Sequence, residues 1–121
     1  MEFHFVHFAD PKPCERARSG KGKVYTSAGY RQYKRDLVKT IREEMAGKNI
    51  FPMTGKLAGI MIFDRRTAVR TDLDNLAKAV MDALQDAGAI KDDYQFIELT
   101  LKKFVRASVP KTIVQVMEVG P

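Results

Sequence analysis

The sequence is poor in cysteine and has no long apolar run. Cys14 is the single cysteine among 121 residues, which excludes an internal disulfide and a cysteine-rich zinc site and fits a reducing compartment. No apolar run approaches the roughly 18 residues needed to cross a bilayer, and residues 1–5 lack the basic start of a secretory signal. No internal repeat is present, which disfavours a solenoid. We therefore expect a cytoplasmic protein that does not enter a membrane.

The composition is that of a folded domain with a basic balance of charge. Hydrophobic residues make up 45% of the chain and charged residues 30%, which disfavours wholesale disorder. A chain of this length fits a single domain, residues 1–121, and can bury roughly two-thirds of its unfolded surface. The 21 Lys and Arg residues outnumber the 15 Asp and Glu residues, for a net charge of +6. That excess favours a polyanionic partner such as nucleic acid without proving one.

The hydropathy pattern predicts a mixed α/β (α+β) fold with two helices and one small mixed sheet, in the order β-α-β-α-β-β. Prolines and glycines predict a loop over 10–23. Ser27 is placed to cap the first helix and Gly88 to stop the second. The 57–63 run is expected to be buried on both faces, and the alternating 96–105 run to be half-buried. The predicted strands are 3–8, 57–63, 96–105 and 112–119, and the predicted helices are 28 to near 47 and 73–87.

The stretch over 70–78 carries the most informative chemistry. Asp72 and Asp74 lie one residue apart between a predicted strand and a predicted helix, and they can point the same way if the chain there is extended. Carboxylates hold Mg²⁺ together with water and phosphate oxygens. Lys78 follows Asp74 by four residues on one helical face, and its ammonium can offset charge on a reacting phosphate. Taken alone, these residues are more simply explained as helix caps and an exposed ion pair.

A second acidic pair, Asp92-Asp93, precedes the 96–105 strand and by itself is an ordinary turn signal. Together with the first pair it forms an ordered set that is far more specific. The sequence resembles the RusA family of Holliday-junction resolvases over about 71–103, in Asp72-Leu73-Asp74-Asn75-Leu76, Lys78, Asp82-Ala83-Leu84 and Asp92-Asp93 before an apolar strand. A weaker similarity lies upstream, in Pro11-Lys12-Pro13 before basic residues and an amphipathic helix. The resemblance implies a small, largely prophage-borne endodeoxyribonuclease that cuts four-way DNA junctions with Mg²⁺ as a homodimer.

Carried over position by position, the resemblance implies a metal site and a catalytic lysine. Asp72, Asp74 and Asp93 match the metal-binding carboxylates, and Lys78 matches the family's essential lysine. The implied cofactor is Mg²⁺, with Mn²⁺ as a substitute, and the implied reaction is paired, symmetric hydrolysis that leaves 5′-phosphate and 3′-hydroxyl ends. Asp82 and Asp92 also fall on the family pattern. Asp82 could simply orient the lysine.

Two departures from the family pattern concern DNA contacts rather than metal ligands. Some members carry an Asn pair where this chain has Cys14 and Glu15. Some also have an unbroken arginine run directly before the first aspartate, whereas here Arg65 and Arg66 are separated from Arg70. These differences bear on sequence preference more than on activity.

The spacing of the acidic residues poses a geometric problem. A helix over 73–87 spans about 22 Å, with Asp72 and Asp74 at its start and Asp93 just past its end. If the next strand runs parallel to the 57–63 strand, the acids lie at opposite edges of one subunit. Two such helices packed antiparallel across a two-fold axis would bring the acids of two chains together. A different path through 89–91 would instead allow a site within one chain.

Basic residues around the predicted site are expected to contact phosphates, which position DNA without reading its bases. One group lies in the loop rich in Gly and Pro, for which a solvated surface is the alternative interpretation. The other group leads directly to the acidic centre. The expected DNA-binding residues are Lys12, Arg16, Arg18, Lys21, Lys23, Arg65, Arg66 and Arg70.

Three other functions are compatible with parts of the sequence. A nuclease for other branched or flap DNA differs in its relative cleavage of a four-way junction and a flap duplex. A catalytically inactive junction-binding protein would bind equally with and without Mg²⁺ and yield no product. A basic protein-interaction module would show no salt-dependent affinity for DNA.

Overall fold

The structure is a computed structural model that describes residues 1–15, 18–20 and 23–120, with the backbone alone described at 18–20 and 23–25. The predicted order of strands and helices is confirmed, with an additional hairpin before the first helix. The elements in chain order are β1 (Glu2–His7), β2 (Arg18–Gly20), β3 (Lys23–Tyr25), α1 (Ala28–Met45), β4 (Leu57–Asp64), α2 (Leu73–Ala87), a 3₁₀ turn (Asp93–Gln95), β5 (Phe96–Phe104) and β6 (Lys111–Glu118).

The additional hairpin, β2 and β3, lies mostly in the segment predicted to be a loop. Arg18 pairs with Tyr25 and Gly20 with Lys23 in antiparallel register. The prediction of a loop throughout 10–23 was wrong, because strands of three residues are too short to show the alternation by which a strand is recognised.

The main sheet has four strands in the order β1-β6-β4-β5. β4 and β5 are parallel, and the crossover between them contains α2. β6 is antiparallel to both of its neighbours, and its pairing with β1 runs from Glu2–Met117 to His7–Thr112. The first and last strands of the chain therefore lie side by side. Because β4 and β5 are parallel, the geometric problem raised by the spacing of Asp72, Asp74 and Asp93 applies to this structure.

Both helices pack on one face of the main sheet, where a single cluster of buried side chains forms the core. On that face β4 contributes Leu57, Met61 and Phe63, while the residues between them are half-buried. The prediction that β4 is buried on both faces was wrong, because the helix layer covers one face. The helices contribute Tyr30, Tyr33, Leu37 and Ile41 from α1, and Leu76, Ala77, Ala79, Val80, Ala83, Leu84 and Ala87 from α2.

β5 is a strand, as predicted, but it is mostly exposed rather than half-buried. Ile97 is 58% exposed and Phe104 is 54% exposed, and Leu99 also reaches solvent. β5 lies at the edge of the sheet, so its apolar side chains have few neighbours within this chain. The alternation of apolar and polar residues therefore predicted a strand correctly. The half-burial that it also predicted was wrong.

The ends of the two helices follow from local chemistry. The hydroxyl of Ser27 accepts a hydrogen bond from the backbone N–H of Tyr30, which satisfies a free donor in the first turn of α1. Gly88 ends α2 with a φ of 81°, a left-handed conformation that glycine adopts without steric cost. Both predicted helix boundaries are confirmed. Within the described residues, neither helix is long and apolar enough to span a membrane.

The two histidines of β1 lie on opposite faces of the sheet. His4 is exposed, whereas His7 is buried and its Nδ1 lies 2.8 Å from the hydroxyl oxygen of Thr40. The His7 ring also packs edge-on against Tyr33, with ring centroids 5.9 Å apart. Burial lowers the pKa of His7 below its ordinary value of 6.5.

Candidate active site

The start of α2 presents two carboxylates to solvent. Asp72 occupies the N-cap position in an extended conformation, and its side chain makes no capping hydrogen bond. Asp74 lies in the first helical turn and is also exposed; its Oδ1 accepts a hydrogen bond of 3.0 Å from the N–H of Asn75. The helix macrodipole favours negative charge at this end. Because Asp72 is not used as a cap, its oxygens are available to a ligand.

Lys78 lies between two further carboxylates. Its Nζ is 2.7 Å from Asp93 Oδ2 and 3.0 Å from Asp82 Oδ1. The hydrogen bonds that Lys78 donates to Asp93 and Asp82 raise the pKa of Lys78 above its ordinary value. The hydrogen bond from Lys78, followed by one with Asp92, lowers the pKa of Asp93. At neutral pH the site therefore holds a fixed ammonium between two carboxylates.

Asp93 is held in position by the 3₁₀ turn that it begins. Asp92 caps this turn by accepting the N–H of Tyr94 at 3.0 Å, and its own N–H is accepted by the side chain of Gln95. The buried amide of Gln95 also donates to the carbonyl oxygens of Met53 and Gly55, at 2.9 Å each. Gln95 is thus an anchoring residue that sequence reasoning missed. The Asp-x-x-Gln spacing of a capping box was the signal that could have identified it.

The three predicted metal ligands do not meet within one chain. Among the residues that the structure describes, no group of three His, Cys, Asp or Glu side chains could hold a metal ion. Asp93 contacts Lys78 and donates its N–H to Gln85, in the middle and second half of α2. Asp74 lies at the start of the same helix, about 12 Å along its axis from Asp82. Asp74 and Asp93 are therefore on the same side of the helix layer but separated along it.

Arg65, predicted to contact DNA, is buried. It is 8% exposed, and its guanidinium donates to the carbonyl oxygens of Pro11 and Val69 and to the hydroxyl of Thr71. These bonds hold together the segment that leads into α2. The carbonyl of Thr71 also accepts a hydrogen bond of 2.7 Å from Lys103. In this chain Arg65 positions the residues before Asp72.

The other predicted arginines near the site are accessible. Arg66 and Arg70 are both exposed, and the backbone N–H of Arg66 donates to Asp10 at 2.9 Å. A shallow cavity of about 410 Å³ opens beside the start of α2. Its walls combine one cation with polar and acidic groups: Pro13, Cys14, Arg70, Thr71, Asp72 and Asn75.

The loop after β1 packs against both helices. The N–H of Cys14 donates to the carbonyl of Asn75 at 2.9 Å, and its Sγ lies 3.6 Å from Asp82 Oδ2. Lys12 is exposed, with its ammonium beside Gly29 at the start of α1. Two predicted DNA contacts, Arg16 and Lys21, lie outside the described residues. Two others belong to the hairpin strands, of which the backbone alone is described: Arg18 and Lys23.

Two exposed carboxylates at the start of α2, an ammonium on the same helix held by further carboxylates and exposed arginines nearby suit an enzyme of the class that hydrolyses phosphodiesters. Comparison with known families supports this class. Residues 9–117 match the family described as Endodeoxyribonuclease RusA, and the chain belongs to that family. Its members are Holliday-junction-resolving endonucleases, which implies a branched DNA substrate. Nucleases of this kind generally use divalent metal ions. Comparison with curated proteins gave no match.

Proposed function

We propose that this protein is a Mg²⁺-dependent, structure-selective endonuclease that resolves four-way DNA junctions by paired, symmetric phosphodiester hydrolysis. Residues 1–121 act as one endonuclease domain, in the cytoplasm. The observation that carries the proposal is the 2.7 Å pairing of Asp93 with Lys78, which lies on the helix that begins with the exposed Asp72 and Asp74. A basic side chain held in this way is suited to stabilising charge on a phosphate.

Asp72, Asp74 and Asp93 are the residues that would hold Mg²⁺. Carboxylate oxygens are the donors that this ion prefers, and Mn²⁺ accepts the same donors. When bound, the metal lowers the pKa of a water molecule and polarises the phosphate. Lys78 stabilises negative charge that develops on the phosphate during hydrolysis. Asp82 holds the Lys78 ammonium from the other side, at 3.0 Å.

The separation of the acids along α2 favours a composite site in a homodimer. Lys103, near the end of β5, donates to the carbonyl of Thr71, so this end of β5 lies near Asp72. Asp93 precedes the opposite end of the same strand. If β5 pairs antiparallel with β5 of a second copy, Asp93 of each chain approaches Asp72 and Asp74 of the other. Two equivalent sites then arise, as two symmetric nicks require.

The exposed apolar side chains of β5 support pairing at that edge. Ile97, Leu99 and Phe104 reach solvent on an edge strand, and Tyr94, just before it, is 82% exposed. Exposed apolar side chains on an edge strand are an aggregation hazard unless another chain covers them. Burial against a second copy removes that hazard and completes the site.

DNA contacts would surround the acidic centre. Arg66, Arg70 and Lys12 are exposed and suited to phosphate contact. Within this proposal Arg65 acts by positioning the segment before Asp72. The other cations that we propose to contact phosphates are Arg16, Arg18, Lys21 and Lys23.

The test is cleavage of a labelled synthetic four-way junction, with Mg²⁺ and with EDTA, by the wild-type protein and by Asp72→Asn. We expect paired symmetric nicks that require both Mg²⁺ and Asp72. Glu44→Gln, on the far end of α1, removes one carboxylate elsewhere and is the matched control. Junction binding without any product would contradict the nuclease assignment. Preferential cutting of a flap duplex would change the proposed substrate but not the proposed phosphodiester hydrolysis.

A further inference from the structure

The outer face of α1 carries a line of cations that the proposed site does not use. Arg31, Arg35, Lys39 and Arg42 are all exposed and follow one another at intervals of one helical turn. We name these four residues the α1 stripe. With a rise of 1.5 Å per residue, the stripe extends over about 16 Å.

Within the described part of the chain, ion pairs do not neutralise the charge of the α1 stripe. Among the described residues, none of its four members forms an ion pair. Where they donate hydrogen bonds the acceptors are uncharged: Arg35 donates to Gln32 Oε1 at 2.7 Å and Arg42 to the carbonyl of Asp86 at 3.1 Å. Like charges one turn apart repel one another, at a cost to the stability of the helix. An anionic ligand would remove this cost.

The stripe borders a groove rather than a flat surface. A cavity of about 900 Å³ lies between α1 and the C-terminal end of α2. Val38 and Ala46 contribute apolar surface to it, and Lys34 and Asp86 form an ion pair of 3.0 Å at its α2 side. Five cations and two carboxylates line the groove, so its charge is strongly positive.

The groove lies on the same layer of the protein as the candidate active site. Asp86, in its α2 wall, is one helical turn beyond Asp82, which holds the Lys78 ammonium. The carboxylates and Lys78 therefore lie along one helix, and the stripe lies along its neighbour. A duplex that reaches the site at the start of α2 can continue across α1 without leaving this layer.

We propose that the α1 stripe binds the phosphate backbone of a junction arm and so sets the direction of that arm relative to the site of cutting. The inference rests on the proposed function. Cations at intervals of one turn match a ligand with regularly repeated charge, such as the phosphate backbone of DNA. At 3.4 Å per nucleotide along one strand, the stripe faces about five phosphates. Contacts of this type place the arm without reading its sequence.

The test compares two double variants of equal net charge. Arg35→Gln with Lys39→Gln removes two stripe cations, and Lys48→Gln with Lys56→Gln removes two exposed cations that lie elsewhere. Glutamine retains a high helix propensity, so α1 is expected to fold in the first variant. Junction affinity is measured without cleavage, in Ca²⁺, between 50 and 200 mM salt, the range over which phosphate contacts dominate affinity.

We expect the stripe variant to reduce the slope of log affinity against log salt by about 1.8, and the control variant to leave it unchanged. Equal slopes for the stripe variant and the wild type would overturn the inference, as would an equal loss in both variants. Loss of binding to a poly-glutamate peptide with an unchanged DNA slope would assign the groove to an acidic polypeptide instead. Failure of the wild type to bind junctions at all would refute the proposed function itself.

Discussion

A mixture of two inactive variants tests whether the active site is shared between chains. Asp72→Asn and Asp93→Asn each remove one carboxylate, and each homodimer should be inactive. In a composite site, a mixed dimer has one site with both substitutions and one site with neither. Random reassortment makes about half of the dimers mixed, so about one quarter of the wild-type sites are restored. Each mixed dimer nicks a single strand, so the product is a nicked junction rather than two resolved duplexes.

The assay is denaturing electrophoresis of a junction labelled on each strand in turn, after the variants are mixed, unfolded and refolded together. Asp72→Asn mixed with Asp74→Asn is the matched negative control, because both carboxylates come from the same chain and neither site in the mixed dimer is complete. If the first mixture stays inactive while each variant still binds junctions, the composite site is refuted. If both mixtures recovered cleavage activity equally, the experiment would not show which chain contributes each carboxylate to a site.

Three further predictions concern single residues. Lys78→Gln should lower the cleavage rate about 10²–10³-fold while junction binding persists; a change confined to thermal stability would reduce Lys78 to an ion-pair partner. Since burial lowers the pKa of His7, the unfolded chain takes up its proton first as the pH falls below 6.5. Wild-type stability should therefore fall from pH 7.5 to pH 5 more steeply than that of His7→Asn, and parallel profiles in urea titrations would contradict this. Gly88→Ala should cost about 1–2 kcal/mol, because its φ is positive. Gly55→Ala, with open space around it, should cost nothing measurable in the same titration.

The parts of the fold that sequence reasoning predicted are those with strong local signals. α2 has an apolar stripe over four turns and a glycine stop, and its bounds were predicted correctly. β4 and β6 are rich in β-branched and apolar residues. The short hairpin was missed because three residues carry no period, and the exposure of β5 was missed because edge position depends on topology, which no local pattern contains.

The sequence predicted which residues form the candidate site, and this stays a prediction. It did not predict the contacts between them. The aspartates and Lys78 were identified through the family resemblance, but the bond between Lys78 and Asp93 depends on the 3₁₀ turn that follows α2. Arg65 was expected at the surface, as arginines usually are. It is buried because the carbonyls of its own loop provide its acceptors. Such loop conformations depend on many weak contacts together, and no single residue predicts them.

The pairing of β1 with β6 has a consequence for synthesis. Glu2 lies opposite Met117, so β1 cannot pair with β6 until a segment more than a hundred residues later in the sequence has left the ribosome. Contacts this distant in sequence are slow to form, since the chain must close a loop of more than a hundred residues. Until β6 is available, β1 has no strand to pair with. Its apolar side chains Phe3 and Phe5, which are buried in the folded protein, are then exposed to other nascent chains. The native sheet is therefore completed only once β6 has been synthesised and released from the ribosome.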